Sequence, residues 1–388
     1  MTSPHSVNVP SIRFKGFTDV WEECKLEEIC NYYASSLSAK HINNEGIYDL
    51  YDANTIIGKT NTDCMKEDYI TIIKDGAGVG RTRLLPKGSM FLGTMGAITP
   101  RNSNLDFLYQ LVSNANLGSL YTGSTIPHIY FKDYGKNTYH VPHIVEQEQI
   151  GAFFYNIDHY ITFYRYKYDK LQNIKKSMLE KMFPKNGSNI PEIRFAGFTD
   201  AWEQRKLGEL ADIVGGGTPS TGVSDYWDGN IDWYAPAEIA EQIYLTSSQR
   251  KITEEGYNHS SAKMLPVGTV LFTSRAGIGK TAILARKGCT NQGFQSIVPH
   301  KGELDSYFIF SRTEELKQYG ETVGAGSTFV EVSGKQMANM ELMMPKTMAE
   351  QKTIGQYFAN LDRLITLHQR KLEKLQNIKK MMLEKMFV

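Results

Sequence analysis

The feature that most constrains this chain is an internal duplication. Residues 10–29, PSIRFKGFTDVWEECKLEEI, align with residues 191–210, PEIRFAGFTDAWEQRKLGEL, at an offset of 181, with 13 of 20 positions identical. Residues 145–183 align with 349–387 at an offset of 204, with 23 of 39 identical. From Lys170 and Lys374 onward the match is 13 of 14. Each copy thus has a similar head, a divergent middle and a nearly identical tail. A repeat of this length is a folding unit used twice, and 388 residues leave room for separate cores. The middles keep two landmarks. DGAGVGRT (75–82) resembles SRAGIGKT (274–281), and TGST (122–125) resembles AGST (325–328). A purely structural duplication gives no reason for tails to stay alike while middles diverge. The contrast implies one shared task for the tails and separate tasks for the middles.

The tails read as long helices. Steps of four and three connect Ile354, Phe358, Leu361, Ile365, His368, Leu372, Leu375, Lys379, Met382 and Met386, and the first tail repeats this seam from Ile150 to Met182. A 3.5-residue period is the pattern of a coiled coil. Gly and Pro are absent between Gly151 and Pro184 and after Gly355, so each helix should extend for about 38 residues, or about 57 Å. Lys175 and Lys379 fall on the seam, where a polar residue either fixes register at some cost in stability or snorkels outward. The middles read as mixed, β-rich domains, because short β-branched runs such as YITII (69–73) and TVLFT (269–273) lie between turn residues. A pseudo-two-fold relation between the copies would start each helix at its own middle and end it near the other copy's head. The helices would then run antiparallel, with the middles at opposite ends of a rod. The expected fold is α+β: two pseudo-symmetric repeats, each a β-rich mixed domain plus a long helix, the helices forming an antiparallel coiled coil. The expected boundaries are a head at 1–23, a first middle at 24–144 and a first helix at 145–184. A linker and second head follow at 185–204, then a second middle at 205–345 and a second helix at 346–388.

Several chemistries are disfavoured. Cys24, Cys30, Cys64 and Cys289 are scattered, with no CxxC pair, which argues against a zinc ribbon or a disulfide scaffold and fits a reducing cytoplasm. The opening MTSPHSVNVPSIRF lacks a signal-peptide core. No apolar run approaches the roughly 20 residues that cross a bilayer. RAGIGKT matches the end of a phosphate-binding P-loop, but Ser274 stands where that loop needs its first glycine. A β-turn that aims Arg275 and Lys280 outward is the better reading. No prolines are adjacent, as an amino-methyltransferase loop of Asn/Asp-Pro-Pro type would require, and no proline precedes an aspartate, as in PD…ExK nucleases. His140 and His143 flank Pro142 as surface-loop residues. No catalytic set and no metal site is expected.

The chain resembles the specificity subunits of type I restriction–modification systems. The resemblance rests on the paired F-x-G-F-x-D-x-W-E heads (Phe14–Glu22 and Phe195–Glu203) and on the E-Q…I-G openings of the long helices. GGGTPST…YW (Gly215–Trp227), SRAGIGKTAI and TNQGF (290–294) add to it. It covers essentially the whole chain, although the first middle carries NYYASSLSAKH (31–41) in place of GGGTPST. The resemblance implies that each middle is a target recognition domain reading half of a split double-stranded DNA site, and that the coiled coil sets the gap. It also implies that the chain is non-catalytic and docks two methyltransferase subunits, which endonuclease/translocase subunits join. S-adenosylmethionine, ATP and Mg are expected on those partners, with no cofactor on this chain.

Charge qualifies this picture. Net charge is +1. Residues 24–140 carry 11 Lys/Arg against 11 Asp/Glu, residues 205–345 carry 13 against 16, and residues 346–388 carry 9 against 4. Non-specific affinity follows phosphate neutralisation, so DNA binding by this chain alone should be weak, with sequence read through local base-edge hydrogen bonds. The candidate readers in the first domain are Lys74, Arg81, Arg83, Thr94, Ser124 and Thr125. Those in the second are Thr218, Ser220, Ser274, Arg275, Lys280, Asn291, Gln292, Ser327 and Thr328. The aromatic residues Phe17, Trp21, Phe198 and Trp202 are either head core or partner-docking residues. A coiled-coil adaptor that presents two protein-binding domains is the alternative reading, and a nucleotide-dependent enzyme built on RAGIGKT is a distant third.

Overall fold

The computed structural model describes residues 9–43, 45–123, 126–185, 187–240, 242–275, 277–324 and 331–387. Two compact units result, one from residues 1–166 and 369–388, the other from residues 167–368. Neither unit is one sequence repeat. Helices α1 (Ile144–Lys181) and α2 (Met348–Met386) span 38 and 39 residues. Each gives its first part to one unit and its remainder to the other. Helix α1 stops shortly before Pro184, whose ring disfavours helical backbone in the residue ahead of it.

In the first unit, the head strand Glu22–Lys25 pairs antiparallel with Thr138–Val141, just ahead of α1. A four-stranded antiparallel sheet follows in the order Cys30–Ala34, Met95–Pro100, Tyr69–Ile73, Thr82–Leu85. A smaller sheet, ordered Ile56–Thr60, Tyr48–Tyr51, Ser89–Phe91, ends in a parallel pair. The YITII strand is buried at all five positions because both of its faces are covered. Ile70 and Ile72 pack with Trp21, Phe107 and Phe154 on one side, while Tyr69 and Ile73 pack with Tyr51 and Phe91 on the other.

The second unit repeats this plan. Glu203–Lys206 pairs antiparallel with Glu341–Met344 ahead of α2. A five-stranded sheet is ordered Ala211–Gly215, Gln295–Pro299, Val270–Phe272, Thr281–Leu284, Tyr244–Leu245, and a three-stranded sheet Arg250–Ile252, Trp227–Tyr234, Cys289–Thr290. Val270 and Phe272 face a core containing Phe308 and Phe358, whereas Leu271 faces Tyr234 and Phe294. Burial raises the thiols of Cys30 and Cys289 to about 12, so both behave as small apolar side chains.

Within each unit the helix segments run antiparallel. In the first, Phe154 meets Phe387, Asp158 meets Lys379 and Tyr164 meets Lys371, so positions on α2 fall as those on α1 rise. In the second, Lys175 meets Asp362 and Phe183 meets Phe358. Each head is tied to the end of a helix. The Ile12 N–H donates to the Lys385 carbonyl at 3.1 Å, and the Ile193 N–H to that of Lys181 at 2.9 Å.

The two seam lysines do not snorkel outward. Lys175 Nζ lies 2.6 Å from Asp362 Oδ1, and the Tyr307 hydroxyl donates to Asp362 Oδ2 at 2.8 Å. Burial and the adjacent Asp362 charge push the Tyr307 phenol well above its usual range, so it remains a donor. Lys379 Nζ contacts both Asp158 oxygens at 2.6 and 2.8 Å, and Gln110 donates to the same carboxylate at 3.0 Å. The two sites are repeat mates, with Lys175 matching Lys379 and Asp158 matching Asp362 at the offset of 204.

The recurring E-Q…I-G stretch has an equally direct physical role. Glu146 and Glu350, both buried, each accept two hydrogen bonds from a head arginine. Arg13 binds Glu146 at 2.6 and 2.7 Å, and Arg194 binds Glu350 at 2.7 and 2.8 Å. Gln147 accepts from the Asn104 N–H at 2.9 Å, and Gln351 from the Asp305 N–H at 3.0 Å. Asn104 and Asp305 are the N-caps of a short helix in each unit. Gly151 and Gly355 let those caps approach. A Cβ at Gly151 would lie 2.5 Å from Asn104 Oδ1, and one at Gly355 2.6 Å from Asp305 Oδ1. Head, helix and β-rich domain are thus joined by corresponding residues in both copies. Among the described residues, no helix is long and apolar enough to cross a membrane.

Candidate nucleic-acid interface

The landmark loops DGAGVGRT and SRAGIGKT occupy equivalent places. Each connects two antiparallel strands, Tyr69–Ile73 to Thr82–Leu85 and Val270–Phe272 to Thr281–Leu284. The closing bonds correspond. The Ile73 N–H donates to Arg81 O at 3.0 Å, and the Thr273 N–H to Lys280 O at 2.9 Å. Gly78, Gly80, Gly277 and Gly279 all have positive φ, between 82° and 105°, where a side chain is disfavoured. A Cβ at Gly279 would also strike Lys317. The glycines of RAGIGKT therefore serve a tight hairpin. A P-loop requires a helix whose N-terminus faces the phosphates, and here a strand follows instead.

In the first domain, the Lys74 N–H donates to the Thr94 carbonyl at 3.0 Å, which brings two predicted readers to one place. Thr94 is exposed and Lys74 half-buried. Arg81 is exposed but already donates to Ala53 O and Asn54 Oδ1, at 2.7 and 2.6 Å. Arg83 lies 5.1 Å over the Tyr51 ring. Both guanidinium groups would have to leave these partners to meet a base. Ser124 and Thr125 lie outside the described residues.

In the second domain, Thr218 hydrogen-bonds Gln292. Asn291 turns its Oδ1 back to the Gly293 N–H at 2.8 Å. Ser220 and Lys280 are exposed, and Arg275 faces Glu331 at 3.9 Å. Ser274 corrects the sequence reading. It is fully buried, because its backbone joins Gly293 and Val332, so its hydroxyl has no route to a duplex. Ser327 and Thr328 lie outside the described residues. The head tryptophans fall on the core side of the alternative and are corrected as docking residues. Trp21 and Trp202 are each 2% exposed. Trp21 packs on Phe107 and Phe387, and Trp202 packs on Phe183 and Phe308 while donating to Glu350 at 3.2 Å. Of the four head aromatic residues offered as core or docking residues, only the half-buried Phe17 and Phe198 retain surface.

Sequence reasoning missed the support beneath the GGGTPST loop. The Trp233 indole donates to Gly217 O at 2.8 Å and the Trp227 indole to Ser220 O at 3.1 Å. Arg250 stacks 3.6 Å over the Trp227 ring. Asp232 beside them loses solvation through burial, yet Lys251 and Ser248 hold it below the ordinary carboxylate range. The available signal was W-x5-W, whose indole N–H groups need partners when buried.

This geometry defines a class: a duplicated α+β protein that mounts two different loop surfaces on one repeated frame. A family model for the type I restriction modification DNA specificity domain matches residues 18–175 and again residues 199–377. The chain belongs to that family. It is 36% identical over 165 residues to the type I restriction enzyme MjaIX specificity subunit of Methanocaldococcus jannaschii; the match covers 41% of this chain and 38% of that relative. It is 22% identical over 375 residues to the MjaVIII specificity subunit of the same organism, covering 91% of this chain and 85% of that one. The fold is similar to that of the type I restriction–modification S subunit from M. genitalium, with a TM-score of 0.70, 15% identity, and coverage of 98% of this chain and 99% of that one.

Proposed function

We propose that this chain is the DNA-sequence specificity subunit of a type I restriction–modification complex. Each β-rich domain reads one half of a bipartite duplex site, and α1 with α2 sets the spacer between the halves. One observation carries the reading. The residues that join head, helix and domain are duplicated almost one for one, while the middles they carry diverge outside the landmark hairpins. A frame of this kind suits two independent readers that share one partner-facing geometry.

The chain is non-catalytic in this proposal. Methylation and cleavage belong to two methyltransferase subunits and to endonuclease/translocase subunits, which hold S-adenosylmethionine, ATP and Mg and work on cytoplasmic DNA. The methyltransferases also supply basic surface. The first recognition region is charge-balanced and the second acidic, so neither neutralises many phosphates alone. Single-molecule sequencing of DNA from cells with and without this gene tests the proposal. A methylated split motif that vanishes on deletion and returns on complementation is expected. An unchanged methylation pattern would refute it.

A further inference from the structure

Beside each landmark hairpin, three backbone segments meet in an identical arrangement. In the first domain, Lys74 N–H donates to Thr94 O and Ile129 N–H donates to Lys74 O, at 3.0 and 2.9 Å. In the second, Ser274 N–H donates to Gly293 O and Val332 N–H donates to Ser274 O, at 2.8 and 3.0 Å. The next residue in each case forms an antiparallel bridge, Asp75 to His128 and Arg275 to Glu331. One position in the fold therefore carries a polar pair in both copies, and its polarity is reversed. The acid lies on the hairpin and the base on the facing segment in the first domain, and the reverse holds in the second.

Both pairs are accessible. Asp75 and His128 are 31% and 37% exposed, 2.6 Å apart, and Arg275 and Glu331 are both 39% exposed, 3.9 Å apart. Around His128 the first domain also exposes Tyr121, Ile126 and Tyr130, a concentration of apolar surface typical of a contact site. The tips beside the pairs are open: a Cβ built on Gly76 or Gly277 meets nothing within 4 Å. The backbone bonds through Lys74 and Ser274 do not involve these side chains, so a side chain here can change without disturbing the hairpin.

We propose that Asp75 with His128, and Arg275 with Glu331, are the specificity-determining pairs of the two recognition domains. This inference rests on the DNA-reading function proposed above. Arginine suits the acceptor edge of guanine, and a carboxylate accepts from the cytosine amino group. Reversing polarity at one fixed position lets a common scaffold present different donor and acceptor patterns to the two half-sites.

The test uses the full-length chain expressed with its methyltransferase partner, and maps methylated positions across the host chromosome. Conservative variants (Asp75→Asn with His128→Gln, or Arg275→Gln with Glu331→Gln) are compared with a polarity exchange (Asp75→Arg with His128→Glu). Each pair should weaken base preference about tenfold at one or two positions of its own half-site, leaving the other half-site intact. Arg286→Gln, an exposed change elsewhere in the second domain, should leave both half-sites unaltered. An unchanged motif in the pair variants, at normal or reduced methylation, overturns the inference while leaving the proposed function standing. Absence of any split motif with the unaltered chain overturns both.

Discussion

Among the described residues each buried charge is met by an opposite one, and the two seam sites differ in how strongly they depend on it. The Asp362 side chain is 8% exposed and Asp158 is 32% exposed. Removing the lysine strands the first carboxylate away from water, whereas the second retains solvent. Stranded buried charge is costly, while accessible pairs contribute little. Lys175→Met should therefore destabilise its unit by about 2 kcal/mol and Lys379→Met by about 1 kcal/mol or less, as measured by urea denaturation. Equal effects would contradict this ranking. The seam lysines were visible in the sequence as polar interruptions, but their partners were not, because 187 residues separate Lys175 from Asp362. The repeat held a usable clue, since Asp158 and Asp362 recur at the same offset as the lysines.

At the scale of elements, the junction between each long helix and its domain depends on a glycine. Alanine is favoured over glycine within a helix by about 1 kcal/mol. At Gly355 the steric effect should prevail, because the added methyl would meet a carboxylate that caps the neighbouring helix. Gly355→Ala should lower stability by about 1–2 kcal/mol, read as a lower melting temperature, and a raised melting temperature would contradict the packing described. The RAGIGKT hairpin gives a second check. Adding ATP or GTP with Mg should leave the melting temperature unchanged, since a nucleotide that bound the folded state would raise it. Elements differed in how plainly the sequence announced them. The long helices were legible because the heptad seam persists and Gly and Pro are missing. YITII and TVLFT were legible as buried β-branched runs. Sheet order was not, because short strands such as Tyr48–Tyr51 and Ser89–Phe91 pair in parallel across nearly forty intervening residues, and no local pattern encodes such a partner. The hairpin loops were legible where glycines marked the turns, and Ser274 was misread because its burial is decided by segments distant in sequence.

Across the whole molecule, the repeated frame separates two kinds of change. Lengthening both helices by seven residues at equivalent positions preserves the seam and adds about 10.5 Å. The recognised gap should grow by about three base pairs at unchanged half-sites, and methylome mapping would show it. A gap that stayed constant would contradict a spacer role for the helices. The most direct measurement of the central claim, that one frame carries two independent readers, is the methylation motif of a chimaera. Residues 205–345 are replaced by the corresponding region of another family member, and modified DNA is sequenced by single-molecule methods. One new half-site is expected, with the other half-site and the gap retained. A chimaera that alters both half-sites, or leaves both as they were while still methylating, would contradict the claim.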